Sequence, residues 1–327
     1  MKQALNDLLE HQSLNEQEAY NLMKKLVTEP TNEAHTAALL SVFIMRDISL
    51  QELKGFRNAL LELSLPFKVE GDAIDMCGTG GDGKNTFNIS TLASFVTAAA
   101  GGRVMKHGNY GVSSVSGSSD VMEYLGYKFT NDTDALSRQL DKTNICFLHA
   151  PLFHPALKQV APVRRQMGIK TFFNMLGPLV NPACPSHRFT GTYNLQLARL
   201  YHYLFQQEDC HYTVVHALDG YDEISLTAGC KYYSNDEEFI FYPPDWNLPE
   251  LKQEMLFGGN TIKEAADIFV RVLEAKGTEA QHAVVIANAA AALHCLQPTT
   301  LIGDCVDSAT DALVSGKALK TFKRTIE

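Results

Sequence analysis

Between a short apolar run and the next helical stretch the chain reads Asp75-Met-Cys-Gly78-Thr79-Gly80-Gly81-Asp82-Gly83-Lys84-Asn85-Thr86, with four glycines in the six positions 78–83. That density excludes a helix or strand interior, because glycine loses more backbone freedom on ordering than any other residue. It suits a loop whose amides approach an anion without Cβ obstruction. Phe87-Asn88-Ile89-Ser90-Thr91 then opens a helix. Ser90 or Thr91 as its cap would leave helix N-terminal amides facing a phosphate. The plainer alternative is a tight turn with an ordinary cap.

Two phosphate-binding motifs nearly fit this loop. Gly78-x-Gly80-x-x-Gly83 matches the dinucleotide fingerprint, but the region where its acidic partner belongs reads Ala98-Ala-Ala-Gly-Gly-Arg103. Gly78-x4-Gly83-Lys84 opens like a P-loop, yet Asn85 stands where a hydroxyl must meet Mg²⁺. Each fit fails at the residue that carries the chemistry. Phosphate binding survives without the rest of either fold.

The flanking sequence predicts two kinds of structure. Residues 1 to about 66 read as helices, with capping boxes at Ser13-Leu14-Asn15-Glu16 and Ser49-Leu50-Gln51-Glu52. Ala38, Leu39, Val42, Phe43 and Met45, then Leu53, Phe56, Leu60 and Leu63, follow a helical period up to Pro66. From Val69 short strand-like runs (Ala73–Cys77, Val104-Met105, Ile145–Leu148, Tyr212–His216) alternate with helical stretches such as 92–100, 261–276 and 282–295. The expected fold class is therefore α/β: a small all-helical N-terminal domain plus a larger domain with a mostly parallel sheet flanked by helices. Ligands in such sheets bind beyond the carboxyl ends of the strands, where the unusual loops fall.

Composition narrows the function. The 327 residues are 45% hydrophobic and 20% charged, enough for a sizeable core. A net charge of −9 disfavours a nucleic-acid footprint but allows a local basic pocket. Seven scattered cysteines without a Cys-x-x-Cys pair predict reduced thiols, hence a cytoplasmic protein with neither disulfide framework nor zinc site. The acidic, amphipathic N-terminus does not read as a leader, and the apolar stretch 283–293, interrupted by Asn288, is too short to span a bilayer.

Three further segments carry candidate chemistry. Lys106-His107-Gly108-Asn109-Tyr110-Gly111 continues through Ser113, Ser114 and Gly117 to Ser118-Ser119-Asp120, offering a cation, an amide and a run of hydroxyls, or else a solvated linker. The stretch from His149 to Pro182 includes Arg164-Arg165, a carboxylate or phosphate clamp or simply a solvated helix face. His216-Ala-Leu-Asp219-Gly-Tyr-Asp222-Glu223 suits Mg²⁺, although alone it reads as an acidic turn. On a regular strand Asp222 and Glu223 would point to opposite faces, so a shared metal demands a bend.

In order and over essentially the whole chain, these segments (CGTGGDGKNTFNIST, KHGN…SS…GSSDVMEYLG, HPALKQVAPVRRQMGIKTFFNMLGPLVNPA and HALDGYDEIS) resemble the anthranilate phosphoribosyltransferase family of tryptophan biosynthesis. The resemblance implies transfer of ribose 5-phosphate from phosphoribosyl pyrophosphate to the amino nitrogen of anthranilate, with pyrophosphate released. It implies a helical domain of residues 1–67, joined by part of about 155–185, an α/β domain of 68–327, and a homodimer formed through the helical domain. It places Gly78, Gly81, Asp82, Thr86, Asn88, Ile89, Ser90 and Thr91 on the diphosphate, and Lys106, His107, Gly108, Asn109, Ser113, Ser114 and Ser118 in a second phosphate loop. Asn109 and Arg164 match anthranilate contacts; Ser90, Asp222 and Glu223 match ligands of Mg²⁺, with two ions carried by the substrate. No nucleic acid or membrane is implied. One departure stands out: Tyr110 occupies a position commonly basic in the family. The rival readings are a pentosyltransferase of this fold with another acceptor, a non-catalytic nucleic-acid-binding homologue, which should be basic with a degraded metal site, and a P-loop NTPase.

Overall fold

The computed structural model describes residues 1–111 and 117–327. The chain divides into two compact units, Met1–Phe67 with Ala150–Cys184, and Lys68–His149 with Pro185–Glu327.

The first unit begins with four helices: α1 (Lys2–Leu9), α2 (Glu16–Thr28), α3 (Glu33–Met45) and α4 (Leu50–Glu62). The expected box at Ser13 is displaced by two residues. Asn15 is the cap, accepting from the Glu18 amide while Glu18 reaches back to the Asn15 amide. The box at Ser49 forms as expected. Its Glu52 is fully buried and also accepts from the Leu14 amide at 3.0 Å and from Arg46 at 3.0 Å. α2 and α4 can pack closely because Gly55 has no side chain: a Cβ there would lie 2.3 Å from the Glu16 carbonyl oxygen.

The second unit opens with β1 (Ile74–Asp75), α5 (Ile89–Ala99), β2 (Val104–Gly108), α6 (Ser118–Tyr124), α7 (Thr133–Thr143) and β3 (Ile145–His149). The chain then returns to the first unit with α8 (Ala150–Phe153), α9 (Ala161–Met167) and α10 (Phe173–Leu176). Phe172 anchors this return, its ring 5.2 Å from Phe43 and 4.9 Å from Phe56. The second unit resumes with β4 (His187–Gly191), α11 (Leu195–Phe205), β5 (His211–Ala217), β6 (Cys230–Ser234), β7 (Glu238–Phe241), α12 (Ile262–Leu273), α13 (Glu279–Leu296), α14 (Ile302–Val314) and α15 (Lys317–Ile326).

The seven strands form one sheet in the order β3-β2-β1-β4-β5-β6-β7. Pairing from β3 through β5 is parallel, and β6 and β7 extend the sheet antiparallel. The α/β expectation holds; β4, β6 and β7 are additions that the apolar runs do not announce. Strand order reverses between β1 and β4, and the crevice beyond their carboxyl ends is where an open α/β sheet receives a ligand. β1 pairs Ile74 with Val104 on one side and with His187 on the other. Against this sheet pack α5 and α13, both buried over most of their length and rich in small residues that allow close approach.

Candidate active site

The glycine loop leaves the end of β1 at the sheet's switch point. Gly80, Gly81 and Gly83 have φ of +60°, +75° and +75°, a backbone region that side-chain-bearing residues rarely adopt. Gly78 is needed for space, since a Cβ there would lie 2.6 Å from Asp222 Oδ2. The loop is tied to the end of β4: the Thr79 amide donates to Gly191 O at 3.0 Å, and Thr79 Oγ1 accepts from the Tyr193 amide at 3.2 Å. Asn85, the residue that spoils the P-loop match, is structural. Its Nδ2 donates to Gly259 O and its carbonyl accepts from the Gly258 amide, both at 2.8 Å.

α5 begins two or three residues earlier than a cap at Ser90 or Thr91 would require. Asn88 occupies the cap position and Ile89 starts the helix, so Ser90 and Thr91 lie in its first turn. Ile89 and Thr91 are buried, while Asn88, Ser90 and Thr86 are half-buried. Lys106, on β2, is itself 2% exposed; its ammonium donates to Met76 O and lies 3.4 Å from Ser90 Oγ. Burial pushes its pKa down, against the opposing pull of Cys77, Asp75, Glu223 and Asp222. His107 beside it is buried, with its amide held by Asp75 Oδ1 at 3.0 Å.

The acidic pair lies where the chain bends after β5, so the geometry that a regular strand would have forbidden is met. Asp222 Oδ2 accepts from the Gly80 amide at 2.6 Å. Asp82, Asp222 and Glu223 each bring a carboxylate oxygen within 4.8 Å of the others. The resemblance places Asp82 on the diphosphate, and its membership of this acidic set has no sequence signal. Glu223 Oε2 is buried and has no hydrogen-bond partner among the described residues. Burial raises the pKa of both Asp222 and Glu223, and Glu223 is held well above the usual carboxylate range, with the charges of Asp222 and Asp82 adding to the effect. Three hard oxygen donors whose ionised forms repel one another are a donor set that Mg²⁺ fits.

The second loop starts from Gly108, whose missing Cβ leaves room for Ser118 Oγ, 2.9 Å from where that atom would be. The Asn109 carbonyl accepts from Ser118 Oγ and from the Ser119 amide, each at 3.3 Å. Asn109 is exposed. Asp120 Oδ2 accepts from the amides of both Gly111 and Gly117 at 2.8 Å. Ser113 and Ser114 lie outside the described residues. Tyr110, the departure from the basic residue, donates to Glu123 Oε1 at 3.0 Å and sets its ring edge-on to His149. The phenol therefore makes a local carboxylate contact on its own side of the loop.

Arg164 belongs to the helical unit, on α9, and not to the unit that carries the sheet. It is half-buried and its guanidinium lies over the Phe173 ring at 4.9 Å, whereas Arg165 is exposed. Burial lowers the Arg164 pKa, so this cation is partly stripped of water and suited to a planar anion. Of the two arginines the structure thus singles out one.

Residues 70–319 match the α/β domain of a glycosyl transferase family, and residues 2–64 match that family's helical bundle domain. An anthranilate phosphoribosyltransferase of Flavobacterium psychrophilum is 52% identical over 325 residues, covering 99% of this chain and 98% of that protein. The crystal structure of the Thermus thermophilus enzyme of the same name superposes with a TM-score of 0.91 at 30% identity, covering 99% of this chain and 98% of that one. The Saccharomyces cerevisiae enzyme, in complex with phosphoribosyl pyrophosphate and Mg, gives a TM-score of 0.90 at 25% identity, with 98% and 95% covered. From its glycine loop to its acidic bend, and over its full length, the chain belongs to the anthranilate phosphoribosyltransferase family.

Proposed function

We propose that this chain transfers the 5-phosphoribosyl group of phosphoribosyl pyrophosphate to the amino nitrogen of anthranilate, forming N-(5-phosphoribosyl)anthranilate and pyrophosphate. The observation that carries the reading is the convergence at one switch point of a glycine loop, a buried lysine and three clustered carboxylates. Neither a dinucleotide site nor a P-loop brings that set together.

Roles follow from chemistry. The amides from Gly78 through Gly81, with Asp82, Thr86, Asn88, Ile89, Ser90 and Thr91, surround the diphosphate; Lys106 through Asn109, with Ser113, Ser114 and Ser118, form the second phosphate-contacting loop. Asp222 and Glu223, with Ser90, hold Mg²⁺, and Asp82 adds a carboxylate to that set; two ions enter with the substrate. The yeast enzyme that holds phosphoribosyl pyrophosphate and Mg supports this use of the metal. When bound, Mg²⁺ neutralises charge gathering on the departing pyrophosphate. Arg164 clamps the anthranilate carboxylate through its planar fork, with Asn109 as a second contact. The aniline nitrogen attacks C1 of the ribose as the C1–oxygen bond to pyrophosphate breaks. The loop amides stabilise the leaving oxygens, and the resulting ammonium loses its proton to water. The protein's contribution is positioning and electrostatics, with no side chain acting as nucleophile.

The helical unit supports a homodimer. α3 (EAHTAALLSVFIM) is largely apolar, and its Ile44 and Met45 are 44% and 86% exposed, a patch that a second copy would cover. Seven free cysteines support a reducing, cytoplasmic setting.

Product analysis with a panel of aromatic amines tests the acceptor. Only acceptors bearing a carboxylate beside the amine should be ribosylated efficiently; equal turnover of aniline would contradict the Arg164 clamp.

A further inference from the structure

The residue that interrupts the alanine-rich stretch of α13 reaches directly to the acidic bend. Asn288 is fully buried, and its side chain makes three hydrogen bonds. Oδ1 accepts from the Ile224 amide at 3.1 Å, and Nδ2 donates to Ile224 O at 2.9 Å and to Val284 O of its own helix at 2.8 Å. Two of the three therefore grip both backbone groups of one residue, and that residue directly follows Glu223.

The surroundings make this grip specific. Val284, Ala287, Ala289 and Ala291 around Asn288 are buried and apolar. A buried amide among them is costly unless its hydrogen bonds are made, and an alanine would sit there without that demand. The bend itself needs holding. Leu226 has a φ of +60°, a strained setting for a side-chain-bearing residue, and residues 221–228 belong to no strand. On the other side, Gly78, Gly191 and the Gly80 amide fix Asp222. The Asn288 contact to Ile224 is the one directly next to Glu223; further along, the Leu251 amide donates to Leu226 O at 2.8 Å and Thr227 Oγ1 donates to Asp219 Oδ2 at 2.6 Å.

We infer that Asn288 is a positioning residue for Asp222 and Glu223, fixing the backbone of the bend so that the Glu223 carboxylate stays with its two partners. The inference rests on the reading of that pair as metal ligands. Groups that orient metal ligands without touching the metal commonly change affinity by about 10–100-fold when removed.

The test compares wild type with Asn288→Ala, Asn288→Ser and Glu223→Gln, with folding verified by circular dichroism. Calorimetry measures phosphoribosyl pyrophosphate binding across a Mg²⁺ series and in its absence. The Asn288 variants should need at least about tenfold more Mg²⁺ for half-maximal binding, with metal-free affinity unchanged. A shift below about twofold in the folded variants, even with a lowered melting temperature, would overturn the inference and leave Asn288 as packing alone. Alanine and serine both suit a helix interior, so if one variant does not fold the other decides. Should Glu223→Gln keep wild-type Mg²⁺ dependence, the metal reading itself falls. Should it lose that dependence while both Asn288 variants keep it, only the role of Asn288 falls.

Discussion

Gly191, at the carboxyl end of β4, lies flat against the backbone of Asp222: a Cβ built on it would sit 1.4 Å from the Asp222 carbonyl oxygen. From the neighbouring β1 side Gly78 leaves space for the same residue's carboxylate. Because the obstacle at Gly191 is main chain, it cannot rotate aside. Gly191→Ala should push the acidic bend outward and lower kcat by roughly 100-fold, the scale of an ångström-sized misplacement at a reacting centre. Circular dichroism should show the fold intact, and wild-type turnover in a folded variant would contradict the account.

Arg164 is separable from the phosphate machinery. Removing a charge-assisted contact to a carboxylate costs about 1.5–3 kcal/mol, so Arg164→Ala should raise the anthranilate KM roughly 10–100-fold. The KM for phosphoribosyl pyrophosphate should stay near wild type. Arg164→Lys should recover little, because an ammonium cannot present a planar fork. Steady-state kinetics with each substrate varied in turn checks all three statements.

Much of this site is legible without the fold, and the gaps have physical causes. The glycine loop announces itself because three positive-φ positions and one steric gap can be met cheaply only by glycine. Lys106 and Asp222-Glu223 are visible as charges beside predicted strand ends. Gly191 carries no signal, since the need for it arises from a bend thirty-one residues later in the chain, meeting it only in space. Asn288 shows itself as an interruption of an apolar run, but its target is 64 residues away. The Asn15 cap reads as Ser13 because both positions offer a capping oxygen followed three residues on by Glu, and local sequence does not rank them. β6 and β7 escape notice because Cys-Lys-Tyr-Tyr-Ser is mixed in polarity and Glu-Phe-Ile-Phe is only four residues long, and both are added antiparallel at one end of a parallel sheet.

Asp120 holds the two ends of the second loop through the Gly111 and Gly117 amides. Asp120→Ala should raise the KM for phosphoribosyl pyrophosphate by about tenfold, as expected when charge-assisted bonds that order a binding loop are lost. Asp120→Asn keeps an acceptor and should recover most of the affinity. Equal defects in the two variants would show that charge, not loop geometry, is what matters there.

Glu52 makes the helical unit sensitive to acid. Burial alone would raise its pKa, but hydrogen bonds from Arg46 and from the amides of Ser49 and Leu14, with the Arg46 charge, outweigh it and hold the carboxyl below its ordinary value. A folded pKa below the unfolded one means the stabilisation is present above the unfolded pKa and is lost as pH falls through the folded one. Glu52→Gln should therefore cost about 2–3 kcal/mol at neutral pH, and the cost should be smaller at about pH 3. Urea melts of both proteins at the two pH values measure the difference.

The most direct test of the account follows anthranilate fluorescence with time in the presence of phosphoribosyl pyrophosphate, with and without Mg²⁺. The signal should fall only when substrate and metal are both present, and Asp222→Asn with Glu223→Gln should abolish the change. A folded wild-type protein that leaves the signal unchanged, or consumes anthranilate equally well without metal, would contradict it.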